Sequence, residues 1–318
     1  MEKPVLYIVV PCYNEEEVLP ETTKRLAAKL DDLLRAGKIA DNSRVLFVDD
    51  GSGDRTWDLI CSYHEGDVRF SGVKLSRNRG HQNALLAGLM TAKDRADAAI
   101  SMDADLQDDI NAIDGMVDQY LEGCDIVYGV RSARDTDTFF KRFTAEGFYK
   151  FMEVMGAEVV FNHADYRLMS KRALEALSEY REVNLFLRGI VPMLGYQTGT
   201  VEYERGERFA GKSKYPLKKM LAFALDGITS LSDRPIQLIL TLGLVAFGGG
   251  ALALPFGVHK YIASKHEEDT KLVLSNLWLV GGLVLTSVGI VGDYVGKIYL
   301  ETKHRPRYFI AEVLDSQQ

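Results

Sequence analysis

Cysteine is scarce in this chain of 318 residues, and Cys12, Cys61 and Cys124 lie far apart in the sequence. There is no CxxC pair and no Cys/His spacing of the kind that binds zinc. A zinc site and a disulfide-linked scaffold are therefore not expected. A reduced, cytosolic environment fits this cysteine usage.

Positive charge is also in deficit. The chain has 38 lysine and arginine residues against 45 aspartate and glutamate residues, which gives a formal net charge of -7. Proteins that bind nucleic acid in bulk need a basic surface to neutralise phosphates. Nucleic acid is therefore not an expected partner.

Charge is absent altogether from two long stretches, Ile236–Val258 and Leu272–Gly292. Each reaches the ~20 residues that a helix needs to cross the core of a bilayer. The two stretches predict a hairpin of two transmembrane helices. Two buried helices of a soluble protein are the alternative.

Basic residues around these stretches predict the orientation of the hairpin. Arg234 precedes the first stretch, and Lys297, Lys303, Arg305 and Arg307 follow the second. Because the N-terminus leads directly into a short apolar strand, no signal peptide is expected. Both termini should lie in the cytosol, at an inner or plasma membrane. The expected organisation is a cytosolic domain over residues 1–215, a juxtamembrane segment over 216–234, a transmembrane hairpin over 235–299 and a cytosolic tail over 300–318.

Short apolar runs alternate with helical patterns through the first half of the chain. The predicted strands are Val5–Val10, Val45–Val48, Val73–Leu75, Ala98–Met102, Ile126–Tyr128, Tyr166–Met169 and Thr198–Tyr203. Predicted helices cover the leucine stripe from Leu26 to Leu34 and the segments Asp54–Ser62, Asn83–Ala92 and Ile110–Leu121. This order predicts an α/β domain whose Rossmann-like, mostly parallel sheet is covered by helices.

Four polar clusters stand just beyond the carboxyl ends of four consecutive predicted strands. They are PCYNE at 11–15, DDGSGD at 49–54, SRNRG at 76–80 and DAD at 103–105. Ligands of open α/β sheets bind at this edge, so we expect the clusters to form one site. Asp49 and Asp50 could accept hydrogen bonds from a nucleobase or ribose; a turn that caps the next helix is the alternative.

The cluster Asp103-Ala104-Asp105 favours a metal site. Two carboxylates one residue apart can converge on one hard cation, and Mg²⁺ or Mn²⁺ bound in this way is commonly shared with substrate phosphates. Gln107 could add a carbonyl ligand, whereas Asp108 and Asp109 are better placed to start the next helix. An acidic turn without a metal is the alternative.

Four motifs carry a resemblance to a known family. VPCYNEE, VDDGSGDRT, SRNRGHQNALLAGL and MDADLQDD, in this order, resemble the inverting GT-A glycosyltransferases of family 2. More narrowly, they resemble the polyprenyl-phosphate glycosyltransferases. The likeness continues through ADYRLMS at 164–170, RGER at 205–208, GKSKY at 211–215, DGITS at 226–230 and the two trailing apolar stretches, so that it covers nearly the whole chain.

The resemblance implies roles for individual residues. It assigns contacts with the nucleotide-sugar donor to Pro11, Tyr13, Glu15, Asp50 and Asp103, and the Mg²⁺ or Mn²⁺ ion on the diphosphate to Asp103, Asp105 and Gln107. It implies catalytic roles for Asp105, Asp165 and Arg208. Asp165 would lie near the sugar and the attacking oxygen; a structural aspartate is the alternative. Arg131 would face a phosphate, or else the solvent.

A basic segment precedes the first apolar stretch. Arg205, Arg208, Lys212 and Lys214 concentrate positive charge in a segment that also contains Gly206 and Gly211. We expect these side chains, together with Arg131, to bind the acceptor phosphate, since arginine can grip it with two hydrogen bonds. A basic loop that faces lipid headgroups is the alternative.

An apolar stripe follows the basic segment. Leu217, Leu221, Ala224, Leu225 and Ile228 recur at helical spacing. This pattern is typical of an amphipathic helix in the membrane interface. A core helix of the soluble domain is the alternative.

Together these features predict a metal-dependent, membrane-bound inverting glycosyltransferase. It would move one sugar from a nucleotide sugar such as UDP-glucose to a polyprenyl phosphate. A processive polysaccharide synthase is one alternative, although neither Trp57 nor Trp278 lies in a QxxRW motif. A non-enzymatic membrane scaffold that binds nucleotide sugars is another. Gly292 and Gly296 have the GxxxG spacing of packed membrane helices, which leaves a homo-oligomer open.

Overall fold

The structure is a computed structural model that describes residues 3–132, 163–206, 229, 232–263 and 270–315. Within these residues, eight strands form one sheet. The strands are β1 (Leu6–Cys12), β2 (Arg44–Asp49), β3 (Phe70–Leu75), β4 (Ala98–Ser101), β5 (Ile126–Arg131), β6 (His163–Ser170), β7 (Thr198–Tyr203) and β8 (Ile310–Leu314). The helices are α1 (Leu19–Arg35), α2 (Thr56–Gly66), α3 (His81–Lys93), α4 (Ala112–Leu121), α5 (Lys171–Ser178), α6 (Leu187–Met193), α7 (Arg234–Ala263) and α8 (Thr270–Thr302).

The strand order is β7-β5-β6-β4-β1-β2-β3-β8. Strands β4, β1, β2 and β3 run parallel, and β5 is parallel to β7. Strand β6 is antiparallel to both of its neighbours, and β8 is antiparallel to β3. The predicted α/β class with a mostly parallel sheet is therefore confirmed.

Strand β1 lies at the centre of the sheet, and all seven of its residues are buried. Its side chains alternate between two apolar layers. Ile8 and Leu26 belong to the layer that contains α1, whereas Val9 and Ala87 belong to the layer that contains α3. Burial on both faces explains why the strand is an unbroken apolar run in the sequence.

Helix α3 packs closely against the sheet at Gly88. A Cβ atom on Gly88 would lie 2.3 Å from Cγ1 of Val9. Only glycine allows this approach without displacing β1. The contact holds the middle of α3 against the middle of β1.

The segment after β6 contains two helices that the sequence pattern did not predict. Ser170 caps α5, because its hydroxyl accepts a hydrogen bond of 3.2 Å from the backbone N–H of Ala173. The following helix, α6, spans only seven residues and contains Pro192. Helices this short give little periodicity to detect.

The C-terminal segment returns to the sheet. The prediction treated residues 300–318 as a tail beyond the transmembrane hairpin, but Ile310–Leu314 form β8 at the sheet edge. Strand β8 pairs with β3, so that Val73 lies opposite Val313 and Gly72 opposite Leu314. The added strand satisfies backbone groups that an open edge at β3 would leave unpaired.

Two long helices precede β8. Helix α7 has 30 residues and α8 has 33. In the part of the chain that is described, one stretch, Val280–Thr302, has the length and the apolar composition needed to cross a membrane, and Arg234–Ala246 is a shorter apolar stretch. A pair of transmembrane helices therefore stays a prediction. The predicted amphipathic stripe from Leu217 to Ile228 lies outside the described residues.

Candidate active site

The register of the sheet brings the four polar clusters to one edge. Cys12 at the end of β1 lies opposite Asp49 at the end of β2, and Asp49 lies opposite Lys74 of β3. On the other side of β1, Val9 pairs with Ser101 at the end of β4. The loops that follow these strands therefore lie at one edge of the sheet, as predicted from their positions in the sequence.

The loops after β1 and β2 are joined by hydrogen bonds. The backbone N–H of Asn14 donates to the hydroxyl of Ser52 at 3.0 Å, and the N–H of Gly53 donates to Oδ1 of Asn14 at 2.9 Å. The N–H of Glu15 donates to Oγ1 of Thr56 at 2.9 Å. Because each loop supplies partners for the other, the two are held in one arrangement before any ligand binds.

Three residues predicted to contact the donor lie at the end of β1 or in the loop that follows it. Pro11 is buried, Glu15 is half-buried and Tyr13 is 43% exposed. The aromatic ring of Tyr13 is thus available for a planar ligand such as a nucleobase. The donor roles of these residues remain predictions.

Asp50 is buried and orders the neighbouring loop. Its carboxylate accepts hydrogen bonds from the backbone N–H groups of Arg79 at 2.7 Å and Gly80 at 2.9 Å. Burial raises the pKa of Asp50, and these two hydrogen bonds oppose the rise. Gly80 has φ = 85°, a left-handed conformation that suits glycine, and it leads directly into α3. These hydrogen bonds do not test the predicted contact between Asp50 and the donor, which stays a prediction.

The predicted metal motif follows β4. Asp103, Asp105 and Gln107 are half-buried, whereas the residues that alternate with them, Ala104, Leu106 and Asp108, are buried. The backbone N–H of Gln107 donates to Oδ1 of Asp105 at 3.1 Å. Because buried and half-buried residues alternate along the motif, the three predicted metal ligands are partly accessible to solvent on the side that faces away from the core.

The charges around Asp103 fit a bound cation. Burial raises the pKa of Asp103 to about 6, and the carboxylates of Asp108, Asp165 and Asp105 add to the rise while His81 opposes it. Negative charge concentrated in this way is stabilised by a cation. Within the described residues, no group of three or more histidine, cysteine, aspartate or glutamate side chains is arranged to hold a metal ion. Two carboxylates fit Mg²⁺ or Mn²⁺ that takes its remaining ligands from water and a substrate diphosphate.

Asp165 lies at the centre of an ion cluster. Its carboxylate accepts hydrogen bonds from Arg167 at 2.6 Å and from Arg188 at 3.1 Å, and the amide of Gln82 donates to it at 3.2 Å. Burial alone raises the pKa of Asp165, but Arg188, Arg167 and His81 together hold it well below its usual range. A carboxylate with such a low pKa is a weak base. The arrangement therefore favours a role for Asp165 in positioning its neighbours over a role as general base.

Two residues without a predicted role connect Asp165 to the metal motif. Nε2 of His81 lies 3.6 Å from Oδ1 of Asp103 and 3.7 Å from Oδ2 of Asp165. Arg188, at the start of α6, pairs with Asp165, and its charge also interacts with Asp103. His81 directly follows the SRNRG cluster at the start of a helix, and this position was a usable signal. Arg188 had no such signal.

Asp108 differs from its prediction. Rather than starting a helix, it is buried and accepts a hydrogen bond of 2.5 Å from the hydroxyl of Tyr203 and one of 3.2 Å from Arg131. The helix begins only at Ala112. Alternation along the motif turns Asp108 towards β5 and β7, whose last residues supply its partners. Arg131, predicted to bind the acceptor phosphate, is held here by Asp108 and Tyr203.

The basic segment begins next to the metal motif. Arg205 donates a hydrogen bond to Oε1 of Gln107, and the N–H of Gly206 donates to the carbonyl of Gln107 at 2.8 Å. Of the remaining predicted phosphate ligands, Arg208, Lys212 and Lys214 lie outside the described residues. The amide oxygen of Gln107 accepts the hydrogen bond of Arg205, so in its predicted role as a metal ligand it would share its two lone pairs between Arg205 and the ion.

Comparison with known proteins identifies related sequences. A family model described as Glycosyl transferase family 2 matches residues 7–178. The chain is 53% identical over 317 residues to YkoT of Bacillus subtilis (strain 168), an uncharacterized glycosyltransferase, with 99% of this chain and 94% of YkoT covered. It is 36% identical over 308 residues to the bactoprenol glucosyl transferase of Shigella phage SfV, with 95% and 97% covered.

Solved structures with a similar fold include a mannosyltransferase, PcManGT, from Pyrobaculum calidifontis in complex with GDP-Man and Mn²⁺. The match has a TM-score of 0.48 and 18% sequence identity, and it covers 94% of this chain and 86% of that chain.

Proposed function

The chain belongs to glycosyl transferase family 2, and on that premise we propose that it transfers one sugar from a nucleotide-sugar donor to a polyprenyl phosphate. The bactoprenol glucosyl transferase of phage SfV, similar over 95% of this chain, supports this class of acceptor by its name. UDP-glucose is the first donor to test.

One observation carries the proposal. Arg205, the first residue of the basic segment, donates a hydrogen bond to Gln107, and its charge also interacts with Asp105. A transferase with two anionic substrates needs a cation-binding motif for the diphosphate and basic side chains for the second phosphate, within reach of each other. The contact supports such an arrangement at the carboxyl edge of the sheet.

The proposed chemistry is an inverting displacement at the anomeric carbon. A Mg²⁺ or Mn²⁺ ion held by Asp103 and Asp105 would neutralise charge on the departing diphosphate. The attacking phosphate oxygen is already ionised near neutral pH, so the reaction does not need a strong base. Asp165, held ionised by Arg167 and Arg188, fixes the Arg188 guanidinium near the reacting groups. Arg205, Arg208, Lys212 and Lys214 would hold the acceptor phosphate on the face opposite the leaving group.

The arrangement of the C-terminal helices supports a two-span membrane anchor. Apolar side chains on both helices are exposed, for example Leu252 at 75% and Leu285 at 74%. Because β8 pairs with β3, the chain must end on the same side of the membrane as it began. A crossing by α8 then requires a second crossing, and α7 contains the other charge-free stretch. The basic residues that flank the two helices favour the cytosol as the side of the catalytic domain and both termini.

The test uses the full-length protein in lipid nanodiscs with undecaprenyl phosphate, Mn²⁺ and a panel of labelled nucleotide sugars. We expect a labelled glycolipid carrying one sugar from one preferred donor. An Asp105→Asn variant serves as the inactive control. A growing polymer would support the polysaccharide synthase instead, and donor binding without any product would support the scaffold.

A further inference from the structure

The last turn of α8 contacts the catalytic domain through Glu301. Oε2 of Glu301 accepts a hydrogen bond of 2.8 Å from the backbone N–H of Val183, and Oε1 accepts one of 2.7 Å from the N–H of Asn184. The partners lie more than 100 residues earlier in the chain, in the segment between α5 and α6. The end of the proposed membrane helix therefore binds the backbone of the domain directly.

This contact depends on a carboxylate. Two consecutive N–H groups need two acceptors, and an ionised carboxylate supplies one oxygen to each. A glutamine at the same place would offer one oxygen and present its own N–H₂ to the other donor. Hydrogen bonds to a charged acceptor are also stronger than those between neutral groups. The contact is thus specific for glutamate, although it lies at the domain surface.

The segment that Glu301 holds leads into the active site. Four residues after Asn184, Arg188 pairs with Asp165 at 3.1 Å. Between them, the backbone N–H of Leu187 donates to Oε1 of Gln82 at 3.0 Å, and the amide of the same Gln82 side chain donates to Asp165. The segment is therefore fixed at one end by α8 and at the other by the residues around Asp165.

The chain after α8 fixes the helix end to the domain at further points. Arg307 donates a hydrogen bond of 2.7 Å to the carbonyl of Tyr180, and the N–H of Ser76 donates to the carbonyl of Phe309 at 2.9 Å. At the far end of β8, Arg95 pairs with Asp315 at 2.6 Å. Of these contacts, that of Glu301 reaches the residues nearest in sequence to Arg188, which are Val183 and Asn184.

We propose that Glu301 is a positioning residue that ties the end of α8 to the segment carrying Arg188, so that the seating of α8 sets the position of the Arg188 guanidinium in the active site. The proposal rests on the proposed function for its catalytic consequence. It gives the membrane helices a role beyond anchoring, because the domain reaches its active geometry only when the helix end is in place.

The test is a double-mutant cycle on the full-length protein in nanodiscs, with Glu301→Gln, Arg188→Lys and the double variant. We expect Glu301→Gln to lower the single-turnover transfer rate about tenfold or more and to change the donor Kd by less than about twofold. If Glu301 acts through Arg188, the double variant should be no slower than Arg188→Lys alone. Asp94→Asn, which removes a charge whose side chain is 76% exposed and takes no part in fixing α8 to the domain, is the control and should transfer at the wild-type rate.

Hydrogen exchange supplies a readout that is independent of catalysis. In Glu301→Gln we expect faster exchange at Val183 and Asn184 that extends to the start of α6. Additive effects in the cycle, or a parallel loss of transfer, donor affinity and thermal stability, would overturn the positioning role. Should Glu301→Gln fail to fold, Glu301→Asp, which keeps the charge but shortens the side chain, takes its place in the same cycle.

A wild-type protein that makes no glycolipid would refute the proposed function instead. In that case the exchange experiment decides the positioning claim by itself. Faster exchange confined to Val183 and Asn184, with α6 unchanged, would overturn it.

Discussion

Replacing Asp165 by asparagine should destabilise the protein strongly. The change leaves the guanidinium of Arg167, whose side chain is 1% exposed, without its charged partner at 2.6 Å. Breaking a buried ion pair by removing one partner typically costs about 3–5 kcal/mol of unfolding free energy. For a domain of this size, each kcal/mol lowers the melting temperature by about 2–4 °C, so a decrease of about 6–20 °C is expected.

The pH dependence follows from the low pKa of Asp165. Because the pKa is lower in the folded protein than in the unfolded chain, its stabilising effect is fully present above the unfolded pKa of about 4 and is lost as the pH falls through the folded value. Between pH 5 and pH 8, titration of Asp165 itself should therefore not change the difference in melting temperature between wild type and Asp165→Asn; a change near pH 6 would come from Asp103, whose pKa Asp165 helps to raise. Over the same range, titration of Asp165 should add no limb to the pH–rate profile of transfer.

Thermal unfolding monitored by tryptophan fluorescence in detergent is the assay. Asp94→Asn is the control, because Asp94 pairs with Lys93 at 3.6 Å on the surface, where its side chain is 76% exposed. That variant should stay within about 0.5 kcal/mol of wild type. An Asp165→Asn protein that melts with the control would refute the ion-cluster argument, and a rate limb near neutral pH that disappears in Asp165→Asn would restore the general-base role.

Three further predictions test the site and the core. Asp105→Asn should abolish Mn²⁺-dependent transfer and weaken donor binding while leaving the melting temperature near wild type, as measured by calorimetry and thermal unfolding; normal Mn²⁺-dependent turnover would remove Asp105 from the metal site. Arg208→Ala should raise the KM for polyprenyl phosphate far more than the donor Kd, and an equal loss of both would indicate misfolding. Gly88→Ala should cost about 1–3 kcal/mol, because its Cβ would lie 2.3 Å from Val9, whereas Gly66→Ala, with no atom within 4 Å, should be nearly neutral in the same unfolding experiment.

Much of the fold could be predicted from the sequence because it depends on local pattern. The apolar run of β1 predicts a strand covered on both faces, and the alternation of strands with helices predicts a mostly parallel sheet. Because such sheets bind ligands at the carboxyl edge, the position of Asp103 and Asp105 after β4 predicts that they lie with the other polar clusters. Local spacing and strand order contain all of this information.

The partners of individual side chains were decided by tertiary structure. Asp108 could not be paired with Tyr203 and Arg131 from the sequence, because that contact requires β7 to lie next to β5. Arg188 gave no signal either, since it lies on a seven-residue helix and its partner Asp165 lies 23 residues earlier on another element.

The sequence by itself thus determined the fold class, the family resemblance, the sheet edge that carries the polar clusters and the two charge-free stretches, all of which follow from periodicity and motif order. Only the tertiary structure returned Ile310–Leu314 to the edge of the sheet and set Glu301 against Val183 and Asn184. These contacts join segments more than 100 residues apart. They depend on which strand edge is open and on where a helix ends in space, and no local pattern of residues specifies either.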